Sequence, residues 1–327
     1  MTYSAKAHLT TWLSLLALLL GCLPQPSFAQ MTAIDDFGPN PGNLNLYVHV
    51  PEQAAERPAL VLALHGCVQD AATYARETGW NELADQAGFI VAYPEQQQTN
   101  NPQNCFSWFN EDDINREVGE AKSIKSMVDH LLSRYPIDPT QVFVTGLSAG
   151  GCMTAVMLAT YPDVFEAGAV MAGVPYKATT DLAGAVPAMR GEIDQSPEDW
   201  SALVAEQHPD FDGGYPRMVI FHGAKDEIVN PQNMDELVEQ WTHLHGLSNA
   251  PAEKTPNFDE HPDVTRLAYR DPQGRAQVLA YEVANMGHAL AVNPGDGPKE
   301  GGSTGKFAVD VDFHYTYWAA RFFGLVD

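Results

Sequence analysis

Eleven consecutive residues constrain this chain more than any others: Val142-Phe143-Val144-Thr145-Gly146-Leu147-Ser148-Ala149-Gly150-Gly151-Cys152. β-Branched and aromatic residues up to Thr145 read as a buried strand, and residues 153–160 hold helix formers without proline, so strand, tight turn and helix follow in that order. Gly146 and Gly150 flank Ser148 at the points where side chains would collide as strand and helix close up. Such a turn holds a serine hydroxyl at the tip of a sheet. It also aims the next N–H, that of Ala149, at the place where a tetrahedral oxyanion forms beside a helix N-terminus. The stretch is the signature of a serine nucleophile.

With 327 residues, 45% of them hydrophobic, the chain is long enough to bury the core of one large α/β domain. No internal repeat is visible. The N-terminus carries Lys6, an apolar run over residues 12–20 and a small-x-small site, Ser27-Phe28-Ala29, before Gln30. This reads as a secretory signal over residues 1–29, leaving residues 30–327 as the catalytic domain of a secreted protein, extracellular or periplasmic. The run is too short to span a membrane. Leu19-Leu20-Gly21-Cys22 also has the form of a bacterial lipoprotein signal, with acylation at Cys22; cleavage after Ala29 is the preferred reading.

Loss of Lys6 with the leader takes the formal net charge from −24 to −25. A surface so acidic repels nucleic acid and anionic membranes, and neither is an expected partner. Cys67, Cys105 and Cys152 would remain in an oxidising compartment. Cys67 and Cys105 each follow a predicted strand, on ends that face the same side, so they are expected to pair. Cys152 is then a buried thiol one turn beyond Ser148.

Residues 44–50 alternate apolar and polar as an edge strand would. Residues 59–64 form a continuous apolar run suited to a parallel strand covered on both faces, and they end in His65-Gly66-Cys67-Val68-Gln69. A glycine-containing loop directly after a core strand lets backbone amides approach a ligand, and Cys67 N–H is the candidate second oxyanion donor. His65 is read as a brace for that loop. Residues 71–87 read as one helix, residues 89–94 as the next strand, and the polar loop after it leads into Cys105-Phe106-Ser107-Trp108-Phe109. Trp108 and Phe106, with Gln69 of the oxyanion loop, are the candidate substrate contacts. A helix is expected over residues 117–135 and a strand over residues 167–172. Between residues 175 and 216 the pattern breaks into Gly, Pro, Asp and isolated apolar residues, read as a cap or lid over the site.

A strand over residues 217–221 delivers Asp226 just past its carboxyl end, where the acid of a triad follows the nucleophile in chain order. A turn or helix-capping role is the alternative for that residue. After a predicted hairpin of residues 267–270 and 277–283 comes Asn285-Met286-Gly287-His288-Ala289, and His288 completes the order Ser148, Asp226, His288 as the candidate base. His243 and His245 have a spacing that could hold a metal but no carboxylate or cysteine partner nearby, so a solvated helix end is expected and no metal or cofactor is assigned. A closing helix over residues 311–323 should dock Tyr315, Trp318 and Phe322 on the sheet.

Taken together, these motifs resemble the secreted poly(3-hydroxybutyrate) depolymerase-type esterases, a lineage that also holds feruloyl and acetylxylan esterases of carbohydrate esterase family 1. The resemblance covers roughly residues 44–323 and rests on His65 to Gln69, Asn104 to Phe109, Gly146 to Gly151, His222-Gly223 through Asp226, and Gly287-His288-Ala289. It implies an α/β-hydrolase fold: a mostly parallel central sheet flanked by helices, with a cap insertion. It also implies Ser148 as nucleophile, His288 as base, Asp226 as its partner, and the Cys67 and Ala149 amides as the oxyanion hole of a cofactor-free, monomeric serine esterase. The substrate it implies is a hydroxyalkanoate polyester or oligomer, with ferulate or acetate esters of plant polysaccharide as the alternative. Family members often carry Trp after the Gly-His-Ala triplet, where this chain has Leu290, so a different acyl pocket is expected.

Overall fold

The computed structural model describes residues 1–2 and 31–327. The predicted leader and Cys22 fall outside the described residues, Met1 and Thr2 aside. Among the described residues no helix is long and apolar enough to cross a membrane.

The elements of the first half are β1 (Thr32–Ala33), β2 (Asn45–His49), β3 (Leu60–Leu64), α1 (Ala71–Thr78), α2 (Trp80–Ala87), β4 (Ile90–Glu95), α3 (Glu111–Ile114), α4 (Gly119–Arg134), β5 (Val142–Leu147) and α5 (Ala149–Thr160). There follow β6 (Ala167–Met171), α6 (Leu182–Met189), α7 (Pro197–Ala205), β7 (Arg217–Gly223), α8 (Gln232–Leu244), β8 (Glu253–Thr255), β9 (Val264–Arg270), β10 (Ala276–Val283), β11 (Leu290–Val292), β12 (Ala308–Asp310) and α9 (Tyr315–Phe323). One sheet runs β1-β2-β4-β3-β5-β6-β7-β10-β9-β8, parallel from β4 through β10 and antiparallel at both ends. This is the mostly parallel α/β-hydrolase sheet.

Parallel strands must be covered on both faces, and the alternation within each strand divides the core accordingly. Leu60, Leu62 and Leu64 of β3 join the core on the face covered by α4, α5 and α8, while Val61 and Ala63 join the core on the face covered by α1, α2 and α9. Helix α5 is buried along its whole length, as an all-round apolar helix must be.

The chain runs from β3 out to β4 and returns to β5 on the other side of β3. Connections therefore diverge at the carboxyl ends of β3 and β5, the place where open α/β sheets hold their ligands. Leu64 pairs with Gly146 at that edge, so the loop after β3 and the turn after β5 emerge side by side.

Several local expectations differ from the fold. Residues 71–87 form two helices because Gly79 adopts φ 72°, caps α1 by donating its N–H to Ala75 O, and lies so close to Gly302 that a Cβ would come within 2.6 Å of its nitrogen. Strand β2 is covered by the two-residue β1 and so is not an edge. In α9 it is Phe323, stacked on Phe143 at 4.6 Å, that enters the core beside Tyr315 and Trp318; Phe322 lies under the Arg217 guanidinium at 4.5 Å. Within residues 175–216, α7 packs against α8 through buried Trp200, whose indole N–H donates to Glu236 at 2.7 Å. Helix α6 alone of these two reaches the cleft described below, through Ala185 and Met189.

Candidate active site

Ser148 stands between β5 and α5 with φ 55° and ψ −118°, a left-handed conformation that costs a non-glycine residue on the order of 1–3 kcal/mol. Close packing holds it there. Ser148 N–H donates to Met171 O at 2.9 Å, a Cβ on Gly146 would come within 2.3 Å of Gly150 O, and one on Gly150 within 2.2 Å of Leu64 O. Both flanking positions therefore require glycine.

The loops after β7 and β10 bring in the partners. Ala224 N–H donates to Val283 O at 3.0 Å and Lys225 N–H to Met286 O at 2.9 Å, so the acid-bearing and histidine-bearing loops are bonded to each other. His288 Nε2 lies 2.9 Å from Ser148 Oγ, and its Nδ1 lies 2.7 Å from Asp226 Oδ2. Asp226 Oδ1 accepts the N–H groups of Ile228 and Val229, both at 2.9 Å. Burial works to raise the Asp226 carboxyl, but hydrogen bonds from His222 and His288 and the backbone outweigh it and hold the group well below the usual carboxylate range. An ionised Asp226 can only accept, which places the His288 proton on Nδ1 and leaves Nε2 to accept from the Ser148 hydroxyl.

The loop after β3 is tied down at every residue. His65 is wholly buried; its Nδ1–H donates to Gly66 O at 2.8 Å and its Nε2 accepts Gln96 N–H at 3.1 Å, while burial lowers its pKa and keeps the ring neutral. Gln69 accepts Gly66 N–H at 2.8 Å and donates to Glu77 at 2.7 Å. Val68, with φ 58° an outlier for a β-branched residue, donates its N–H to Gln103 O at 2.6 Å. Cys67 is bonded to Cys105, as expected, and Cys152 is free among the described residues, buried, with its thiol pushed up to about 12 by that burial. Among the described residues, Cys67 N–H and Ala149 N–H have no acceptor.

These groups meet at a cleft of about 390 Å³ walled by Trp108, Phe109, Val68, Met189, Ile228 and Phe307. The family description "Esterase PHB depolymerase" matches residues 43–259. The chain belongs to the esterase PHB depolymerase family.

Relatives within this family lineage differ in what they are named for. The chain is 41% identical over 303 residues to poly(3-hydroxyalkanoate) depolymerase C of Paucimonas lemoignei, covering 90% of this chain and 70% of that protein. It is 33% identical over 281 residues to feruloyl esterase B of Talaromyces stipitatus, covering 84% of this chain and 76% of that protein. The solved acetyl xylan esterase from Aspergillus awamori superposes with a TM-score of 0.74 at 29% identity, covering 79% of this chain and 94% of that one.

Set against the sequence expectations, this esterase PHB depolymerase member brings Ser148, His288, Cys67 and Trp108 to one cleft, with Asp226 buried behind His288 and Ala149 directly beyond Ser148. Phe106 is not a cleft residue: it is fully buried against the His65 ring at 5.0 Å. Buried Glu120, whose carboxyl is raised to about 8 chiefly by that burial, accepts Ser107 N–H at 2.8 Å and turns the chain so that Phe106 goes in and Trp108 and Phe109 face the cleft. Gln69 borders the cleft, but its amide is occupied by Gly66 of the loop and Glu77 of α1. Leu290 belongs to the core rather than to the cleft. His243 Nδ1 lies 2.6 Å from Ser201 Oγ and His245 Nε2 3.2 Å from Pro216 O, so their rings serve different packing partners. Met189, Ile228, Lys306 and Phe307 line the cleft without having been named from the sequence, whereas Phe109 belongs to the aromatic run from which Trp108 was read as a substrate contact.

Proposed function

We propose that this protein is a secreted serine esterase of residues 30–327 that hydrolyses carboxylic esters through an acyl-enzyme, with hydroxyalkanoate polyesters or oligomers as its substrates. The observation that carries this reading is the unbroken chain Ser148 Oγ to His288 Nε2 at 2.9 Å and His288 Nδ1 to Asp226 Oδ2 at 2.7 Å.

In this mechanism His288 Nε2 takes the Ser148 proton as Oγ attacks the ester carbonyl. Asp226 holds the imidazole by its Nδ1–H and stabilises the imidazolium. The Cys67 and Ala149 amides receive the oxyanion, each contributing about 10² to 10³ in turnover. The imidazolium then protonates the departing alcohol, and water repeats the sequence to release the acid.

The apolar cleft supports an aliphatic polyester. Val68 and Ile228 stand half-exposed at its rim, and α6, which supplies Ala185 and Met189 to the wall, also carries exposed Leu182 and Val186. The resemblance to a poly(3-hydroxyalkanoate) depolymerase points the same way. A second reading, release of ferulate or acetate from polysaccharide, is favoured by the edge-to-face pair of Trp108 and Phe109 at 5.5 Å, a surface on which a phenolic ring or sugar can rest. The Cys67–Cys105 disulfide supports an oxidising, extracytoplasmic location.

Hydrolysis rates on amorphous poly(3-hydroxybutyrate), methyl ferulate and acetylated xylan, with Ser148→Ala as the blank, test the proposal. A dominant polyester rate that vanishes in the variant is expected. Turnover that survives Ser148→Ala in a clean preparation would refute the nucleophile.

A further inference from the structure

Two residues at the cleft have no part in the chemistry above. Lys306 and Phe307 lie at the tip of a turn closed by reciprocal bonds between Gly305 and Ala308, in the connection from β11 to β12. The turn is fastened to the histidine loop: Leu290, two residues beyond His288, donates its N–H to Phe307 O at 2.7 Å. The Phe307 ring stands edge-on to the His288 imidazole at 6.5 Å and 81°, and the Lys306 ammonium lies 4.9 Å over that same ring.

Among the described cleft-lining residues Lys306 is the one lysine, arginine, aspartate or glutamate, and it makes no ion pair. Glu77, which crowds against Gly305, is bonded to Gln69 instead. An unpaired cation in an apolar cleft, on a chain of net charge −24, is a conspicuous complement for one anionic group of a substrate.

Its position says which half of the substrate carries that group. His288 must deliver a proton to the departing alcohol, so the leaving half lies on the His288 side of the scissile bond, where Phe307 and Lys306 stand. In a linear hydroxyacid oligomer cut at its last ester, the departing alcohol is a hydroxyacid whose other end is a free carboxylate. We propose that Lys306 binds this terminal carboxylate and directs cleavage to the acid end of hydroxyalkanoate oligomers, an inference that rests on the polyester reading above. Phe307 supplies the apolar surface for the unit between the carboxylate and the scissile bond.

The test compares kcat/KM for the 3-hydroxybutyrate dimer as free acid and as its neutral terminal amide, which share one scissile ester. Wild-type protein should favour the acid. Lys306→Gln should lower the acid-to-amide ratio about fivefold, Lys306→Glu should lower it further, and Lys306→Arg should restore it. Lys306 is exposed, so these variants should fold, and unfolding midpoints check that they do. A ratio that does not move overturns the proposal. So does a Lys306→Gln effect confined to acetylated glucuronoxylan, relative to the carboxyl-reduced polymer, because the cation would then read a uronate. Failure to cleave either dimer, with p-nitrophenyl acetate still hydrolysed and Ser148 still labelled by a phosphonate, overturns this inference and the polyester substrate while leaving the serine esterase mechanism standing.

Discussion

His288 Nδ1 meets Asp226 at Oδ2, 2.7 Å away, while Oδ1 of the same carboxylate is already held by two backbone N–H groups. The carboxylate is thus oriented before it touches the imidazole. In Asp226→Asn the carboxamide oxygen would stay with the Ile228 and Val229 amides, because only an acceptor satisfies them. Its NH2 would then face His288 and force the imidazole proton onto Nε2, where it can no longer take a proton from Ser148. Turnover on a soluble ester should fall on the order of 10⁴-fold with the unfolding midpoint little changed. A loss under tenfold in a folded variant would show that Asp226 does not set the tautomer.

The Cys67–Cys105 bond closes a loop with a sequence separation of 38 and holds the residue whose N–H is the proposed oxyanion donor. By chain-entropy reasoning such a crosslink contributes roughly 4 kcal/mol. Cys105→Ser should lower the unfolding midpoint and reduce kcat by between about 10- and 100-fold with a smaller change in KM, since His65, Gln69 and the Val68–Gln103 bond still hold the loop approximately. A variant that loses stability at full kcat would separate the bridge from catalysis.

Phe106 and Phe109 are three residues apart and should behave differently. Phe106 is fully buried against His65, so Phe106→Ala should cost roughly 3–5 kcal/mol of stability and leave the ratio of rates on different esters unchanged. Phe109 is partly exposed at the cleft, so Phe109→Ala should shift the ratio between methyl ferulate and an aliphatic ester at a small cost in stability. The same shift from both variants would mean that the aromatic run acts as one unit.

The turn around Ser148 was readable because its pattern is local, a glycine on each side of a serine between an apolar run and a helix, although only the Gly146 clash, with Gly150 O, is local and Gly150 answers to Leu64 O of β3. The order Ser148, Asp226, His288 was readable for a related reason, since each residue comes within a few positions of the end of a strand whose apolar pattern is plain. What escaped the sequence depends on distant partners. The helix break at Gly79 answers to Gly302, the facing of Phe106 and Phe109 to Glu120, and the approach of Phe307 to His288 to the pairing of the three-residue strands β11 and β12 and the Leu290–Phe307 bond beside it. Phe322 and Phe323 are both at helical spacing from Tyr315 or Trp318, so periodicity could not choose between them.

His314, just before α9, gives the fold a dependence on acidity. It is buried, its Nε2–H donates to Thr78 O at 2.8 Å, its Nδ1 has no partner among the described residues, and burial lowers its pKa from 6.5 to about 4. The unfolded chain takes up this proton near 6.5, whereas the folded chain refuses it until about 4. Between those values the unfolded state binds more protons, so stability falls as pH falls through that window, the contribution is complete above 6.5, and the loss levels off below about 4. A shift of this size corresponds to on the order of 3 kcal/mol. Buried His65, whose pKa burial also lowers, acts in the same direction. Glutamine at position 314 can still donate to Thr78 O but does not titrate, so His314→Gln should unfold at a midpoint that declines less steeply between pH 6.5 and 4 than that of the wild type. Parallel declines for the two proteins would show that His314 is not a source of the acid sensitivity.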